Sequence, residues 1–280
     1  MTGRRLLVNA DDLGLSRSVN DGVLLAHREG ILTSASLLGN APAFDDAVAK
    51  VRGTPRLGVG VHLNIVRGRP LSEAGDVPTL VDAGGAFRPF RFRMHTPAFL
   101  ADAEHEYRLQ MQKILDAGVR PAHLDFEKHH AWRKPLYALA VRLAAEYGIP
   151  RIRNLEEPVW WSLKTMGWPG ARRTFLASAM RVGTTFLSGI GPPGKPDRLL
   201  GQLHIGGMDE IHWLRLLDRL PDGLSEVMVH PGLAGDEDAM GASWIDSARE
   251  MELRALVSPR VAEKIRELGI VLAYTRPTTV

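Results

Sequence analysis

The sequence predicts an α/β protein: a single distorted (β/α) barrel of seven or eight mostly parallel strands, with residues 1–280 forming one domain. Short β-rich runs alternate with longer helical patterns, as in repeated βα units. The 280 residues suit the length of one such barrel, and no change in composition marks a domain boundary. An open doubly wound sheet is the alternative, but no Gly-x-Gly-x-x-Gly turn follows the first strand to support it.

Eight β-rich runs supply the predicted strands. Several of them end in polar residues, which is typical of strands that lead into functional loops. The runs cover residues 5–10, 32–38, 57–63, 121–129, 151–154, 200–205, 226–230 and 270–274.

Capping residues mark the predicted helices between these strands. Thr96-Pro97 and Ser258-Pro259 each place a hydroxyl before a proline, which favours the first turn of a helix. Gly118 and Gly269 follow these helices at positions where a left-handed residue is favourable. A further helix is predicted over residues 16–29.

Residues 158–196 differ from the rest of the chain and predict a helical insertion or lid. They combine Trp160, Trp161 and Trp168 with three arginines and a Gly-Pro-Pro-Gly turn. Part of the segment, over residues 175–187, has the spacing of an amphipathic helix. The simplest interpretation is a helix packed on the barrel.

Composition excludes several classes of function. The chain has no cysteine, so disulfides, iron–sulfur clusters, thiolate zinc sites and a cysteine nucleophile are excluded. Lys and Arg total 35 against 32 Asp and Glu, a balance that does not favour nucleic acid as a partner. Neither a signal-peptide core nor an apolar run of the ~18 residues needed for a membrane span is present. We therefore expect a cytoplasmic protein.

Side chains that can bind metals recur at the ends of predicted strands that are distant in sequence. Asp11 and Asp12 follow the first strand, His62 ends the third, and His230 ends a late one. A lone histidine at a strand end is more often a core residue than a ligand. In parallel βα folds, however, the carboxyl ends of the strands meet at one rim, so convergence of several such residues favours a site.

The Asp11-Asp12 pair has two interpretations. Adjacent carboxylates on an extended chain point to opposite sides, so one of them could face a metal ion and the other a substrate. The alternative is a turn and helix-capping pair that precedes the helix predicted over residues 16–29.

The fourth predicted strand carries a fully polar face. His123, Asp125, Glu127 and His129 alternate along it, and apolar residues occupy the other face. Because helices normally cover the outside of parallel strands, we expect the polar face to point into the mouth of the barrel. A solvated edge strand is the alternative.

One carboxylate and two histidines form a ligand set for one divalent metal ion. Zinc is expected first, with magnesium, manganese or cobalt as alternatives. Such an ion activates water for hydrolysis, while a second carboxylate takes a proton and a histidine protonates the leaving group. A metal-dependent phosphoesterase or amidohydrolase ranks lower, because the clustered carboxylates that bridge two metals are missing.

Several segments, in the same order along the chain, resemble the YdjC-like carbohydrate deacetylases. They are Asn9-Ala10-Asp11-Asp12-Leu13-Gly14, Gly60-Val61-His62-Leu63-Asn64, Gly68-Arg69-Pro70-Leu71, His123-x-Asp125 and Glu226-Val-Met-Val-His-Pro-Gly232. The resemblance covers nearly the whole chain. Glu127-Lys128-His129 and the Gly206-Gly-Met-Asp-Glu segment look closer to the branch associated with hopanoid biosynthesis than to the chitooligosaccharide branch.

The resemblance implies a distorted barrel, one divalent metal held by an Asp and two His, and hydrolysis of an N-acetyl group on an amino sugar. Carried over by position, Asp12 and His62 are metal ligands, Asp11 is the general base and His230 is the general acid. The chitooligosaccharide branch has its second metal histidine at the position of Glu127. Either Glu127 replaces this histidine as the third metal ligand, or His129, two residues further along the same predicted strand face, provides the ligand. Of the two, His129 is favoured because it offers the imidazole that the family uses.

The remaining expectations concern the substrate. Arg153 is expected to orient Asp11 or to contact a substrate oxygen, with a surface arginine as the alternative, and His123 and Asp125 are expected to contact the substrate. The insertion at residues 158–196 could shelter a lipid-linked sugar or rest on the inner membrane surface. The sequence leaves open whether the chain forms a homodimer. It also leaves open the alternative that the protein is a non-catalytic, sugar-binding homologue that has lost its metal.

Overall fold

Seven strands form one sheet in the part of the chain that the structure, a computed structural model, describes: residues 3–88, 96–131, 134–169, 196–234, 240 and 248–275. The strands pair in the order β4-β3-β2-β1-β6-β5, and β7 also pairs with β1. All pairings among these strands are parallel, which confirms the α/β class. They are β1 (Arg4–Leu13), β2 (Ser34–Leu37), β3 (Gly58–Leu63), β4 (Leu124–Phe126), β5 (Arg198–Leu200), β6 (Gly223–Val229) and β7 (Val271–Leu272).

The segment at residues 151–156 joins the two edges of this sheet. On one side it exchanges two backbone hydrogen bonds, 3.0 and 2.9 Å long, with Leu124 of β4. On the other side, the Leu199 N–H of β5 donates to Glu156 O at 3.2 Å. A distorted barrel is therefore confirmed, but an irregular segment closes it, and the strand predicted at residues 151–154 is reduced to a single bridge.

Helices surround the sheet, and the predicted caps are confirmed. The hydroxyls of Thr96 and Ser258 accept hydrogen bonds from backbone N–H groups of the first turn, and Ser16 does the same for the helix that follows it, where no serine cap was predicted. Gly118 and Gly269 follow their helices with φ of 78° and 60°. Within the described ranges, no helix has both the length and the hydropathy to span a bilayer. The helices are α1 (Arg17–Glu29), α2 (Phe44–Arg52), α3 (Pro97–Asp116), α4 (Lys134–Glu146), α5 (Val159–Met166), α6 (Glu210–Asp218), α7 (Arg249–Leu256) and α8 (Pro259–Glu267).

The two faces of the strands differ in polarity, although both are buried. Along β1, Leu6, Val8 and Ala10 belong to the hydrophobic core between sheet and helices. Asn9 and Asp11 alternate with them and therefore line the inside of the barrel. The barrel interior is consequently polar. The same alternation places Ser34, Ser36, His62, Asp125 and Glu226 on the inner face of the neighbouring strands.

Two glycines of β3 make room for the side chains that fill this interior. A Cβ atom on Gly60 would lie 2.4 Å from the His123 ring, and one on Gly58 would lie 1.8 Å from Thr275 Oγ1. Both distances are far below van der Waals contact. His123 therefore packs directly on the backbone of β3, and the carboxyl-terminal segment packs at the amino end of the same strand.

Two further predicted strands differ from the observed ones. β4 ends at Phe126, and Glu127–His129 forms a 3₁₀ turn, so the prediction of a strand continuing to residue 129 is wrong. Glu127 and His129 therefore do not share a strand face. β5 ends at Leu200, which places this strand earlier than the predicted residues 200–205. The amphipathic pattern at residues 175–187 lies outside the described residues.

Candidate functional site

The carboxyl ends of β1, β3 and β4 bring five predicted site residues together, and all five are buried. One donor atom each from Asp12, His62 and Glu127 lie within 4.8 Å of one another. The same holds for Asp11, His62 and Asp125. Oxygen and imidazole donors at this spacing are chemically suited to one divalent cation, so the residues present fit such an ion.

Asp12 reaches this cluster because the backbone of β1 is irregular there. Its φ is 70°, and the pairing of β1 with β2 shifts register between Ala10 and Leu13. On a regular strand Asp11 and Asp12 would point to opposite sides, but the bulge redirects Asp12. The expectation of opposite sides is wrong, and so is the helix-capping alternative, since Ser16 caps α1.

His62 lies between two carboxylates. Its Nδ1 is 2.7 Å from Asp125 Oδ1 and its Nε2 is 3.2 Å from Glu127 Oε2. Burial is the largest single effect and disfavours the charged ring, but Asp125, Glu127 and Asp11 together outweigh it and raise the pKa of His62 well above its usual value. Because a metal ion binds the neutral ring, a cation at this site would compete with a proton.

Arg153 is the cationic centre of the cluster. Its NH2 and NH1 groups donate to Asp11 Oδ1 and Oδ2 at 2.6 and 2.8 Å, and Nε donates to Glu226 Oε1 at 2.7 Å. NH2 also lies 2.8 Å from Asp125 Oδ2. Burial opposes ionisation of Asp11, but Arg153 outweighs it and holds the pKa of Asp11 well below the usual range. Arg153 is 1% exposed, so the surface-arginine alternative is wrong.

Two further arginines contact the carboxylates of the first donor group. Arg249 NH2 donates to Asp12 Oδ2 at 2.7 Å, and Arg67 NH1 lies 3.8 Å from Glu127 Oε1. Burial is the largest single effect and opposes ionisation of Asp12, but the nearby positive charges, with Arg249 the strongest, together outweigh it and lower the pKa of Asp12. Sequence reasoning missed both arginines because neither lies in a predicted strand.

Asp125 and His123 make their observed contacts with protein groups inside the barrel. Ser36 Oγ donates to Asp125 Oδ2 at 2.5 Å and lies 3.0 Å from His123 Nε2. Asn9 Nδ2 donates to Ser36 Oγ at 2.8 Å and to Asp11 Oδ1 at 2.9 Å. Burial lowers the pKa of His123 to about 3, so its ring is neutral. These contacts orient Asp11 and Asp125, and a substrate contact of His123 or Asp125 stays a prediction.

His129 occupies a different position from Glu127. Its Nε2 lies 3.2 Å from Met228 Sδ, and burial lowers the pKa of its ring to about 3. It belongs to neither of the two donor groups among the described residues. The structure therefore brings Glu127, rather than His129, close to Asp12 and His62.

His230 follows β6 at the same rim. Its backbone N–H donates to Glu252 Oε2 at 2.7 Å, and its Nδ1 lies 3.8 Å from the same oxygen. Its charge is the smallest of the named influences on the pKa of Asp11, after burial, Arg153 and His62. Glu252 was missed because it lies on α7, where the helical pattern gives no sign of a contact with the rim.

Fold and site together define an α/β barrel with a buried cluster of carboxylates, imidazoles and arginines at its carboxyl rim. The chain belongs to the YdjC-like protein family, whose model matches residues 5–267. It is 40% identical over 266 residues to a carbohydrate deacetylase of Oceanobacillus iheyensis, covering 92% of this chain and 98% of the relative. A carbohydrate deacetylase of Geobacillus stearothermophilus is 31% identical over 275 residues, covering 98% and 97%.

A solved structure from Enterococcus faecalis has the same fold. It is described as a candidate cellobiose-phosphate cleavage protein and superimposes with a TM-score of 0.76 at 27% sequence identity. The match covers 97% of each chain. The likeness therefore extends over the whole barrel rather than over the site alone.

Proposed function

We propose that this protein is a metal-dependent carbohydrate N-deacetylase, which hydrolyses the acetamide of an N-acetylated amino sugar and releases acetate. The observation that carries this proposal is the convergence of the Asp12, His62 and Glu127 donors beside Asp11. The relatives described above support the carbohydrate substrate, since they are named carbohydrate deacetylases.

Asp12, His62 and Glu127 would hold one divalent cation. Zinc is the expected ion, and the two carboxylates also suit manganese, cobalt or magnesium. When bound, the cation supplies a Lewis acid that polarises the acetyl carbonyl and makes water more acidic. The two donor groups share His62, which favours one ion rather than two.

Asp11 and His230 are the proposed proton-transfer residues. Arg153 and Asn9 fix the orientation of the Asp11 carboxylate, which is ionised and would accept a proton from the attacking water. His230, anchored by Glu252, donates a ring proton to the departing amine nitrogen. Arg153 is the residue that positions the base.

The test is acetate release from an N-acetylated oligosaccharide by protein loaded with one equivalent of Zn²⁺. We expect Asp11→Asn to lower kcat by about 100-fold or more while the bound metal stays constant, because the general base is lost and the ligands remain. Chelation of the metal should abolish release by the wild type. Asp46→Asn, which changes a partly exposed carboxylate on α2, is the matched control and should leave kcat unchanged.

Other outcomes separate the alternatives. Turnover by Asp11→Asn at the wild-type rate would contradict the mechanism. Two metal ions per chain would favour the phosphoesterase alternative, and release of ammonia from small amides would favour an amidohydrolase. Sugar binding with no metal and no acetate release would identify a non-catalytic homologue.

We also propose that the substrate is lipid-linked, as in the hopanoid-associated branch of the family. Support comes from Trp160 in the first turn of α5 and Trp168 just after its end, which are 80% and 71% exposed and are of the residue type found at membrane surfaces. Residues 1–280 would then act as one cytoplasmic domain at the inner membrane surface. Failure to co-sediment with anionic liposomes would contradict contact with the membrane surface. Whether the chain forms a homodimer is a separate question, which size-exclusion chromatography would answer.

A further inference from the structure

The turn that follows β4 has an unfavourable backbone. Lys128 and His129 adopt φ of 49° and 48° within the turn Glu127–His129. Left-handed φ values are unfavourable for residues other than glycine, so two in succession persist only where surrounding contacts hold them. Glu127, whose Oε2 lies 3.2 Å from His62 Nε2, is the first residue of this turn. Contacts that hold the turn therefore also hold the Glu127 carboxylate.

His130 closes the turn with its backbone and its ring. The backbone N–H donates to Glu127 O at 3.2 Å, and ring Nδ1 lies 2.8 Å from the same oxygen. A carbonyl oxygen only accepts, so Nδ1 carries the proton. In the neutral ring Nε2 is then an acceptor, and it receives its hydrogen bond from the Tyr107 hydroxyl.

Tyr107 brings this hydrogen bond from α3, a different element of the barrel. Tyr107 and His130 are both fully buried, and the Phe126 ring meets the His130 ring edge-on at 5.7 Å. Burial also raises the pKa of the Tyr107 phenol well above its usual value, so the hydroxyl stays a donor. The ring of His130 is thus fixed by packing and by hydrogen bonds at both nitrogens.

We propose that Tyr107 and His130 are positioning residues for the metal site. The chain of hydroxyl, imidazole and Glu127 carbonyl holds the strained turn in the one conformation that keeps Glu127 beside Asp12 and His62. This inference rests on the proposed function, because it takes Glu127 as the third metal ligand. His130 reaches Glu127 at its backbone carbonyl, and Tyr107 reaches it through His130, so their effect acts through the turn.

The test compares Co²⁺ binding by wild type and variants of the full chain, using calorimetry and the visible absorption of bound Co²⁺. We expect Tyr107→Phe and His130→Ala to weaken binding about tenfold or more and to shift the absorption spectrum, because outer residues orient metal ligands. His130→Asn should restore part of the affinity, since its Nδ2–H can donate to Glu127 O as His Nδ1 does.

A matched control separates positioning from loss of a buried hydrogen bond. Ser162→Ala removes a buried hydroxyl that donates to Glu157 Oε1 at 2.6 Å, far from the turn in sequence, and should bind Co²⁺ like wild type. Wild-type affinity and spectrum in both Tyr107→Phe and His130→Ala would overturn the inference. Absence of Co²⁺ and Zn²⁺ binding in the wild type would overturn the metal site itself, and the inference with it. Should His130→Ala not fold, Tyr107→Phe and His130→Asn decide.

Discussion

At the scale of single residues, Glu157 is a buried acid that the proposed chemistry does not use. Ser162 Oγ donates to its Oε1 at 2.6 Å and Leu203 N donates to its Oε2 at 2.7 Å. Burial raises the pKa of Glu157 from 4.5 to about 7 despite these bonds. Since the folded pKa is the higher one, the stabilising form is protonated, and its contribution is complete below pH 4.5 and lost as the pH rises through 7.

Glu157→Gln should remove this pH dependence. Like the protonated acid, glutamine is neutral, can accept from Leu203 N and can pair with the Ser162 hydroxyl, which can act as donor or acceptor. We expect the variant to be more stable than wild type by about 3 kcal/mol at pH 8, and by much less at pH 5. Denaturant unfolding at both pH values measures this, with the less buried neighbour Glu156→Gln as control. An equal effect of Glu157→Gln at the two pH values would contradict the prediction.

Sequence reasoning identified the residues of the candidate site that lie at strand ends and missed those that reach the rim from elsewhere. Asp11, Asp12 and His62 stand out because polar residues end otherwise apolar runs. Arg249 donates to Asp12 across 237 positions of sequence, and nothing in the pattern of its own helix indicates that contact. Charge pairs of this kind depend on tertiary packing, which strand and helix periodicity does not encode.

At the scale of elements, β3 and the segment before β4 pack closely because Gly60 of β3 has no side chain. The Gly60 Cα faces the His123 ring, where a Cβ atom would lie 2.4 Å away. His123 is 1% exposed and hydrogen-bonded to Ser36, so it cannot move without breaking contacts that lead to Asp125. The strand therefore requires glycine at this position for packing, although its φ is unremarkable.

Gly60→Ala should destabilise the fold by about 2 kcal/mol or more, because the added methyl group overpacks a rigid interior. Gly53→Ala at the end of α2 is the control, since its Cβ would meet only Lys50 O at an ordinary 3.6 Å. Urea unfolding of both variants provides the measurement. If Gly60→Ala unfolded at the urea concentration of Gly53→Ala, the packing argument would be incorrect.

The end of β4 could not be predicted from the sequence. Polar residues alternate from His123 to His129, so the pattern fits a strand beyond Phe126 as well as before it. The strand ends there because His130, fixed by Tyr107 of α3, accommodates the left-handed residues of the turn. A partner from another helix decided the local backbone, and no window of sequence around the turn contains it.

At the scale of the whole molecule, the alternation of strands and helices was sufficient to predict a (β/α) barrel, since parallel strands require crossover helices. The way in which the barrel closes was not predictable. Closure depends on irregular backbone hydrogen bonds of residues 151–156, which leave no periodic pattern. It also depends on the carboxyl-terminal segment, whose short β7 inserts beside β1.

That segment covers the amino end of the barrel, opposite the candidate site. β7 pairs with Arg5 and Leu6, the Ala273 N–H donates to Leu6 O at 2.7 Å, and Thr275 Oγ1 lies 3.3 Å from Ser34 Oγ. Deleting residues 271–280 removes these contacts, exposes the polar interior, and should cost about 3 kcal/mol of unfolding free energy.

Because the proposed metal donors lie at the carboxyl ends of the strands, the same deletion should leave the metal affinity of the folded fraction close to that of wild type. Thermal unfolding and metal titration of the two chains measure both quantities. Deleting only residues 276–280 is the control, since it leaves β7 and Thr275 in place. Loss of metal binding in the folded variant that lacks residues 271–280 would mean that the two ends of the barrel are coupled. An unchanged unfolding temperature of the same variant would mean that β7 does not contribute to closing the barrel.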